Sequence, residues 1–504
     1  MVAAVLLKDP RIVARAVPRW ALAWAGTAAI TVLLTLSDFV GVPVVEALQS
    51  GALSTFVIYV PQGLAFLVVY ALTLTITLVT FVSRRPKLLL VLAVAALLPP
   101  AYVGHSASAG DHDFAVSSLM LHIATATLWI GGVFGLLVFL RRAARPKEVV
   151  ARFSTLALSC FVAVAVSGTV NAWVRLGSVS LLWESRYGLL ILGKVAILGA
   201  LGYFGWRHRR TTIKALDSTR APFLRLAAGE LVVMAATMGL AVALSRTPPP
   251  PGADTTTHGL LGFDLRELTI TRLLTEVRLD PILLLAVAGA GAAYLAAVRR
   301  MPEGQRWRTV SWLVGLLVIG YAMVGGVGVY ARAVFSVQMA QYALIGMVGP
   351  ALLALGAPLR LLPERWRKAT HPAVAIPAYA LPYLALFLTP LFELSQQILA
   401  IRLLVTLYLA ISGLVFFTAL MDHPIPTLTT AVVLQSWLAV RLLTGPLMGQ
   451  AWYPELGFPW LPEAAADQRL GAVIPLFALA AVVVRRWRCQ GVGWTRSRTS
   501  GWAR

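Results

Sequence analysis

The sequence predicts an all-α protein: a polytopic helical bundle in a membrane. Three observations carry this reading. Of 504 residues, 59% are hydrophobic and only 13% charged, with a mean hydropathy of +0.79, beyond what a soluble domain tolerates. The apolar residues fall into about fourteen runs, each near the roughly 20 residues a bilayer needs. Lys and Arg gather in alternate connections between those runs, the pattern that fixes orientation. A segment in lipid must satisfy its own backbone, so every run reads as helix.

The runs lie near 20–36, 56–82, 87–104, 114–140, 153–174, 187–206, 224–245, 281–298, 309–331, 338–358, 373–392, 398–420, 427–448 and 470–484. The first is preceded by Arg11, Arg15 and Arg19. Basic clusters follow the second (Arg84, Arg85), fourth (Arg141, Arg142), sixth (Arg207, Arg209, Arg210), eighth (Arg299, Arg300), tenth (Arg365, Arg367) and last (Arg485, Arg486). Both ends are therefore expected on the cytoplasmic side of the cell membrane. Met421–Pro426, also expected inside, has no Lys or Arg and is the weakest point of the count. The outer connections carry Asp38, Glu46, Glu184, Glu393, Glu455 and Asp467. The longest, Thr247–Asp280, opens with TPPPPG, which cannot continue a helix. It divides the chain into 1–250, an external linker 251–280, a second membrane domain 281–485 and a basic tail 486–504.

The net charge of +22 invites a nucleic-acid reading. Its placement in short loops between apolar spans excludes that, leaving the lipid bilayer as the partner. Cys160 and Cys489 give neither a disulfide framework nor a thiolate cluster. No phosphate-binding loop, nucleophile elbow or cofactor fingerprint is present, so an enzyme is not expected.

The run from Asp111 to Leu140 is the centre of the functional reading. His122 lies roughly 12 Å inside it at 1.5 Å per residue, and a histidine in hydrocarbon is a functional-site hypothesis. Ser118, His122, Thr125 and Trp129 share one helical face, and the Gly131-Gly132 pair lets another helix approach. His105, Asp111 and His112 precede the run on the outer side. Imidazole suits copper, zinc, iron or nickel; loop histidines are also ordinary surface residues, and a buried histidine can simply bond a neighbouring helix. In the seventh run Glu230, Met234 and Met238 recur at i, i+4, i+8. Thioethers favour Cu(I), and Met238 matches the depth of His122; the alternative is apolar filling. Lys194 is intramembrane too, but stands at a different depth from Glu230. Ser167, Asn171 and Arg175 form a polar stripe that interhelical hydrogen bonds explain.

Several ordered motifs resemble the copper resistance protein D (CopD) family. They are Gly104-His105, Leu121-His122, Trp129-Ile130-Gly131-Gly132, Arg152-Phe153-Ser154, Ser167-Gly168 with Asn171-Ala172, Tyr187-Gly188 leading to Lys194, Phe223-Leu224-Arg225-Leu226 with Glu230, and Leu244-Ser245-Arg246-Thr247-Pro248-Pro249. They span roughly 50–250. The second half resembles CtaG-type cytochrome c oxidase assembly factors over roughly 280–485. There the motifs are Phe335-Ser336 with Met339, Leu355-Gly356-Ala357-Pro358, Thr389-Pro390-Leu391-Phe392, Ser412-Gly413, Pro424-Ile425-Pro426 and Asp467-Gln468-Arg469-Leu470-Gly471. Where that family carries histidines, this chain has Gln338, Tyr342, Thr406 and Tyr408.

The resemblance implies a CopD–CtaG fusion in a bacterial cell membrane that handles copper ions through its first half, binding them transiently as Cu(I) or Cu(II). An extracytoplasmic copper-binding protein and haem–copper oxidase subunits are the implied partners. The expected route runs from His105, His112 and Asp111 to His122 and the Met234/Met238 face, then to Glu230, with Trp129, Lys194 and Asn171 as intramembrane polar neighbours. The alternatives are an oxidase assembly factor or a metal-free scaffold of a respiratory complex.

Overall fold

The computed structural model describes all residues except 9–11, 84, 104–111, 177, 214–215, 217–218, 249, 251–259, 262, 264, 279, 300–305, 358–367 and 499–504. Among the described residues 85% are helical and no strand forms. Twelve helices are long and apolar enough to cross a membrane, and a bent pair would make thirteen. The chain divides into two compact units, Met1–His258 and Gly259–Arg504.

The first unit contains α1 (Val2–Leu7), α2 (Val17–Val40), α3 (Val44–Gln49), α4 (Ala52–Tyr59), α5 (Pro61–Val82), α6 (Pro86–Ala95), α7 (Leu98–Val103), α8 (His112–Phe139), α9 (Pro146–Leu176), α10 (Leu181–Glu184), α11 (Arg186–Arg207) and α12 (Ala221–Arg246). Helix α8 is its hub and packs on α1, α7, α9 and α12. Glycines allow that closeness. A Cβ on Gly132 would stand 2.2 Å from the Phe153 ring of α9, and one on Gly135 would stand 2.7 Å from Ala3 of α1. Helix α12 ends at Arg246 and the chain turns extended at Thr247, as the proline run dictates.

The second unit contains α13 (Ile270–Thr275), α14 (Pro281–Val298), α15 (Arg306–Val324), α16 (Gly326–Tyr330), α17 (Phe335–Ala343), α18 (Gly349–Leu355), α19 (Pro372–Leu388), α20 (Leu391–Gln397), α21 (Leu399–Asp422), α22 (Pro424–Thr444) and α23 (Ala464–Arg498). Its centre is the span formed by α17, a π-helical turn Leu344–Val348 and α18, 78% buried where α15 reaches 33%. Asp280 starts α14 by accepting the Ile282 and Leu283 amides at 2.9 and 3.1 Å, with Pro281 at the first helical position.

Two expected spans differ from simple crossings. The run at 281–298 is a shorter apolar helix, Ile282–Val298. The run at 373–392 is broken: α19 and α20 meet at 82°. Pro390 supplies no amide, and Thr389 before it is extended. The Thr389 hydroxyl accepts the Leu391 amide at 3.2 Å and pins the corner. The described residues from Leu260 onward fall in the second compact unit. Leu261 and Leu265 are buried with Tyr330, Val334 and Trp452. The Arg278 guanidinium lies 3.4 Å over the Phe263 ring, and burial there pushes its pKa down to about 10.

Candidate metal-handling site in the first membrane unit

Helix α8 presents its polar face to two different neighbours. At its start, Ser118 and His122 meet α9. The Ser118 hydroxyl donates to the Ser167 carbonyl at 2.9 Å, and His122 Nδ1 lies 3.0 Å from Ser167 Oγ. Asn171 Nδ2 donates to Ser118 Oγ at 3.0 Å and to the Ser167 carbonyl at 2.9 Å. The imidazole lies beside Gly168, its Cε1 3.5 Å from where a Cβ would stand. The Ser167 hydroxyl also lies 2.6 Å from the Ala163 carbonyl. With its proton directed there, it can accept from His122 Nδ1–H, the tautomer in which Nε2 carries the lone pair. Lys194 of α11 is within Coulombic range of both His122 and Arg175. Thr125 bonds only within its own helix, to the Leu121 carbonyl at 2.7 Å and that of His122 at 3.3 Å.

Because Asn171 ties α9 to α8 through Ser118, Asn171→Leu is expected to cost about 1 kcal/mol, the size of an interhelical polar contact in a bilayer. Thermal unfolding in detergent checks this. The midpoint should fall by a few degrees, while Thr169→Ala, which removes a bond within α9 alone, leaves it unchanged.

Two turns further, Trp129 faces α12. Its indole Nε1–H donates to Glu230 Oε1 at 3.1 Å. Glu230 is 4% exposed, so this carboxylate lies in a medium that demands partners. Its other oxygen lies 3.4 Å from His208 Nε2. The pair is not aligned as a hydrogen bond, and Nε2 has no hydrogen-bond partner. The sequence reading missed His208. It sits between Arg207 and Arg209 in what scans as a basic loop, but a five-residue π-helical turn, His208–Thr212, extends α11 and carries it inward. The one available signal was a buried-looking Glu230 without an obvious partner.

Trp129, Glu230 and His208 line a cavity of about 210 Å³ with Phe153, Phe161 and Phe223. Met234 lies in the same core, 3% exposed. Met238 is 57% exposed: eight residues after Glu230 the helix has rotated about 80°, at 100° per residue, which turns this thioether away. His105 and Asp111 lie outside the described residues, as does the side chain of His112. The structure thus brings Trp129 to Glu230 and Asn171 to the serines beside His122. It does not pair Lys194 with Glu230 or stack Met238 beside Met234. Among the described residues no three His, Cys, Asp or Glu side chains converge.

In the second unit Gln338 and Tyr342, two of the positions where the resemblance leads one to expect histidine, make separate neutral hydrogen bonds. Gln338 Nε2 donates to Gln341 Oε1 at 2.7 Å, and Gln341 Nε2 to the Ala322 carbonyl at 2.9 Å. Tyr342 is buried and bonds Ser395. Thr406 bonds its own helix and Tyr408 is exposed. His371 and His423 are exposed, their rings 6.3 Å apart.

Comparison with known proteins gives three family matches in this one chain. Residues 2–113 match the copper resistance protein D-like N-terminal domain, 147–244 copper resistance protein D, and 292–488 the cytochrome c oxidase caa3 assembly factor CtaG. Helix α8 lies almost wholly between the first two. An uncharacterized protein of Mycobacterium bovis is 28% identical over 529 residues, covering 93% of this chain and 77% of that one. An uncharacterized protein of Mycobacterium leprae is 24% identical, covering 46% and 42%. The copper transport protein CutJ of Bacillus subtilis is 29% identical over 128 residues, covering 23% and 24%. No solved structure matches.

Proposed function

We propose that this fusion of CopD-type and CtaG-type domains, a multi-pass bacterial membrane protein, binds copper ions within its first unit and moves them across the cell membrane. The observation that carries the reading is His122. It is an intramembrane imidazole whose Nδ1 is held by Ser167, which leaves Nε2 for a metal, in a chain with two copper-resistance matches. Imidazole is a good copper ligand when its other nitrogen is fixed by hydrogen bonding. His105, His112 and Asp111 would capture the ion on the outer side. Met234, buried one helical turn from Glu230, offers a thioether on the way to that carboxylate. The copper transport protein CutJ, to which part of the chain is similar, supports the assignment. Replacing His122 by Ala is expected to remove the chain's effect on cell copper.

A second reading is favoured by the match at 292–488: the second unit assists assembly of a haem–copper oxidase by binding its subunits. Gln338 and Tyr342 bond within the protein and are poor copper ligands, which favours a docking role over metal delivery. Copper added to a deletion strain would then leave an oxidase defect uncorrected.

A further inference from the structure

We propose that His208 Nε2 and Glu230 Oε2 form a copper(II) site separate from His122, at the end of the first unit where the basic residues Arg207, Arg209 and Arg210 gather. The proposal rests on the reading that this chain handles copper, and it names a place where the ion stops after His122.

His208 is 8% exposed, and its Nδ1 lies 2.7 Å from Thr212 Oγ1. The same hydroxyl lies 3.2 Å from the His208 carbonyl, the usual back-bond of a helical threonine. In the tautomer that carries its proton on Nδ1, His208 donates to Thr212 Oγ1, whose own proton points to the His208 carbonyl, and Nε2 then presents its lone pair to the cavity. What faces that lone pair is a carboxylate oxygen at 3.4 Å. In that tautomer two acceptors stand opposite each other at ion-pair distance, with no hydrogen bond made by Nε2, and a cation between or beside them completes the pair.

The surroundings fit this. Among the described residues lining the cavity the charged or titratable groups are His208, Arg209 and Glu230. Arg209 is committed outward: its Nε donates to Ser154 Oγ and its Nη2 to the Ser154 carbonyl, both at 2.8 Å. Trp129 fixes the other carboxylate oxygen from α8, so Glu230 is oriented from one side and free to ligate on the other. Phe223 packs on the imidazole at 4.7 Å between ring centroids. The ligand pair, one imidazole and one carboxylate, suits Cu(II) better than Cu(I). Two protein ligands rather than four leave positions for water and make the ion exchangeable, as a passing site requires.

The test uses the full chain in lipid nanodiscs, dialysed against Cu(II) buffered by a weak chelator. Bound copper is counted and its paramagnetic resonance spectrum recorded. The native chain is expected to hold a copper ion with nitrogen splitting. His208→Gln should weaken that ion at least tenfold and remove its nitrogen splitting. Glu230→Gln, which keeps an acceptor for Trp129, should weaken it while the splitting stays. His122→Ala should leave this ion in place. Unchanged copper in both His208→Gln and Glu230→Gln overturns the proposal. If those variants match the native chain and only His122→Ala loses copper, copper handling stands without this site. If the native chain holds no copper, both readings fail.

Discussion

Asp467→Ala is expected to lower the thermal midpoint of the second unit by about 10 °C, from a loss of about 3 kcal/mol. Asp467 is 7% exposed and sits at the start of α23. Its two carboxylate oxygens accept the Phe335 and Ser336 amides at 2.7 and 3.1 Å. Those are the first amides of α17, the beginning of the most buried span of that unit. Removing the carboxylate leaves two donors without partners in a buried place and takes a negative charge from a helix N-terminus. The rest of the motif does related work. Gln468 accepts the Met448 amide at 2.7 Å and donates to the Leu442 carbonyl at 2.8 Å. Gly471 lets Phe335 lie against the helix, since a Cβ there would stand 2.8 Å from the ring. The Asp-Gln-Arg-Leu-Gly run therefore joins the end of α22, the start of α17 and α23. Asp467→Asn, which keeps one acceptor oxygen, should fall between the native chain and Asp467→Ala. Unfolding of the full chain in detergent, followed by heating and size-exclusion chromatography, checks the order.

Gly413→Val should have an effect of similar size by the opposite physical route, overpacking. A Cβ at 413 in α21 would lie 2.4 Å from the Gly346 carbonyl oxygen and 2.9 Å from Pro350 Cγ. The first contact is backbone, in the π-helical turn between α17 and α18, and cannot rotate away. The two helices must separate, at a cost of about 1–3 kcal/mol for each such insertion, and Phe416 and Leu409 on the same helix lose packing. Gly413→Ala should show a smaller loss. Gly199→Ala, where nothing lies within 4 Å, should show none. Heating in detergent separates these cases; an unchanged midpoint for Gly413→Val would contradict the close approach.

Much of the architecture was legible because lipid leaves few choices. Apolar length and the backbone's need for partners predicted helices at the right places. What was not legible was how a run bends. Nothing in the composition of 373–392 marks an 82° corner except Thr389-Pro390, a pair that many membrane helices absorb as a kink. In the first unit, helical spacing placed Ser118, His122 and Trp129 on one face. It could not say that the first two face α9 and the third α12, because that depends on which helices become neighbours. Spacing also put Met238 in line with Glu230 and Met234, but the i, i+8 step from Glu230 to Met238 drifts by nearly a quarter turn on a straight α-helix. His208 was hidden for a different reason. A histidine among arginines reads as a loop residue until an unforeseen π-helical turn carries it into the bundle.

The measurement that tests copper handling by the first unit most directly is whole-cell copper, by elemental analysis. It compares a deletion strain with the same strain carrying either the native gene or His122→Ala at equal expression. The native gene is expected to change cell copper, with the sign giving the direction of movement, and His122→Ala to restore the deletion value. A His122→Ala strain that matches the native one, or a native gene that leaves copper at the deletion value, would contradict it.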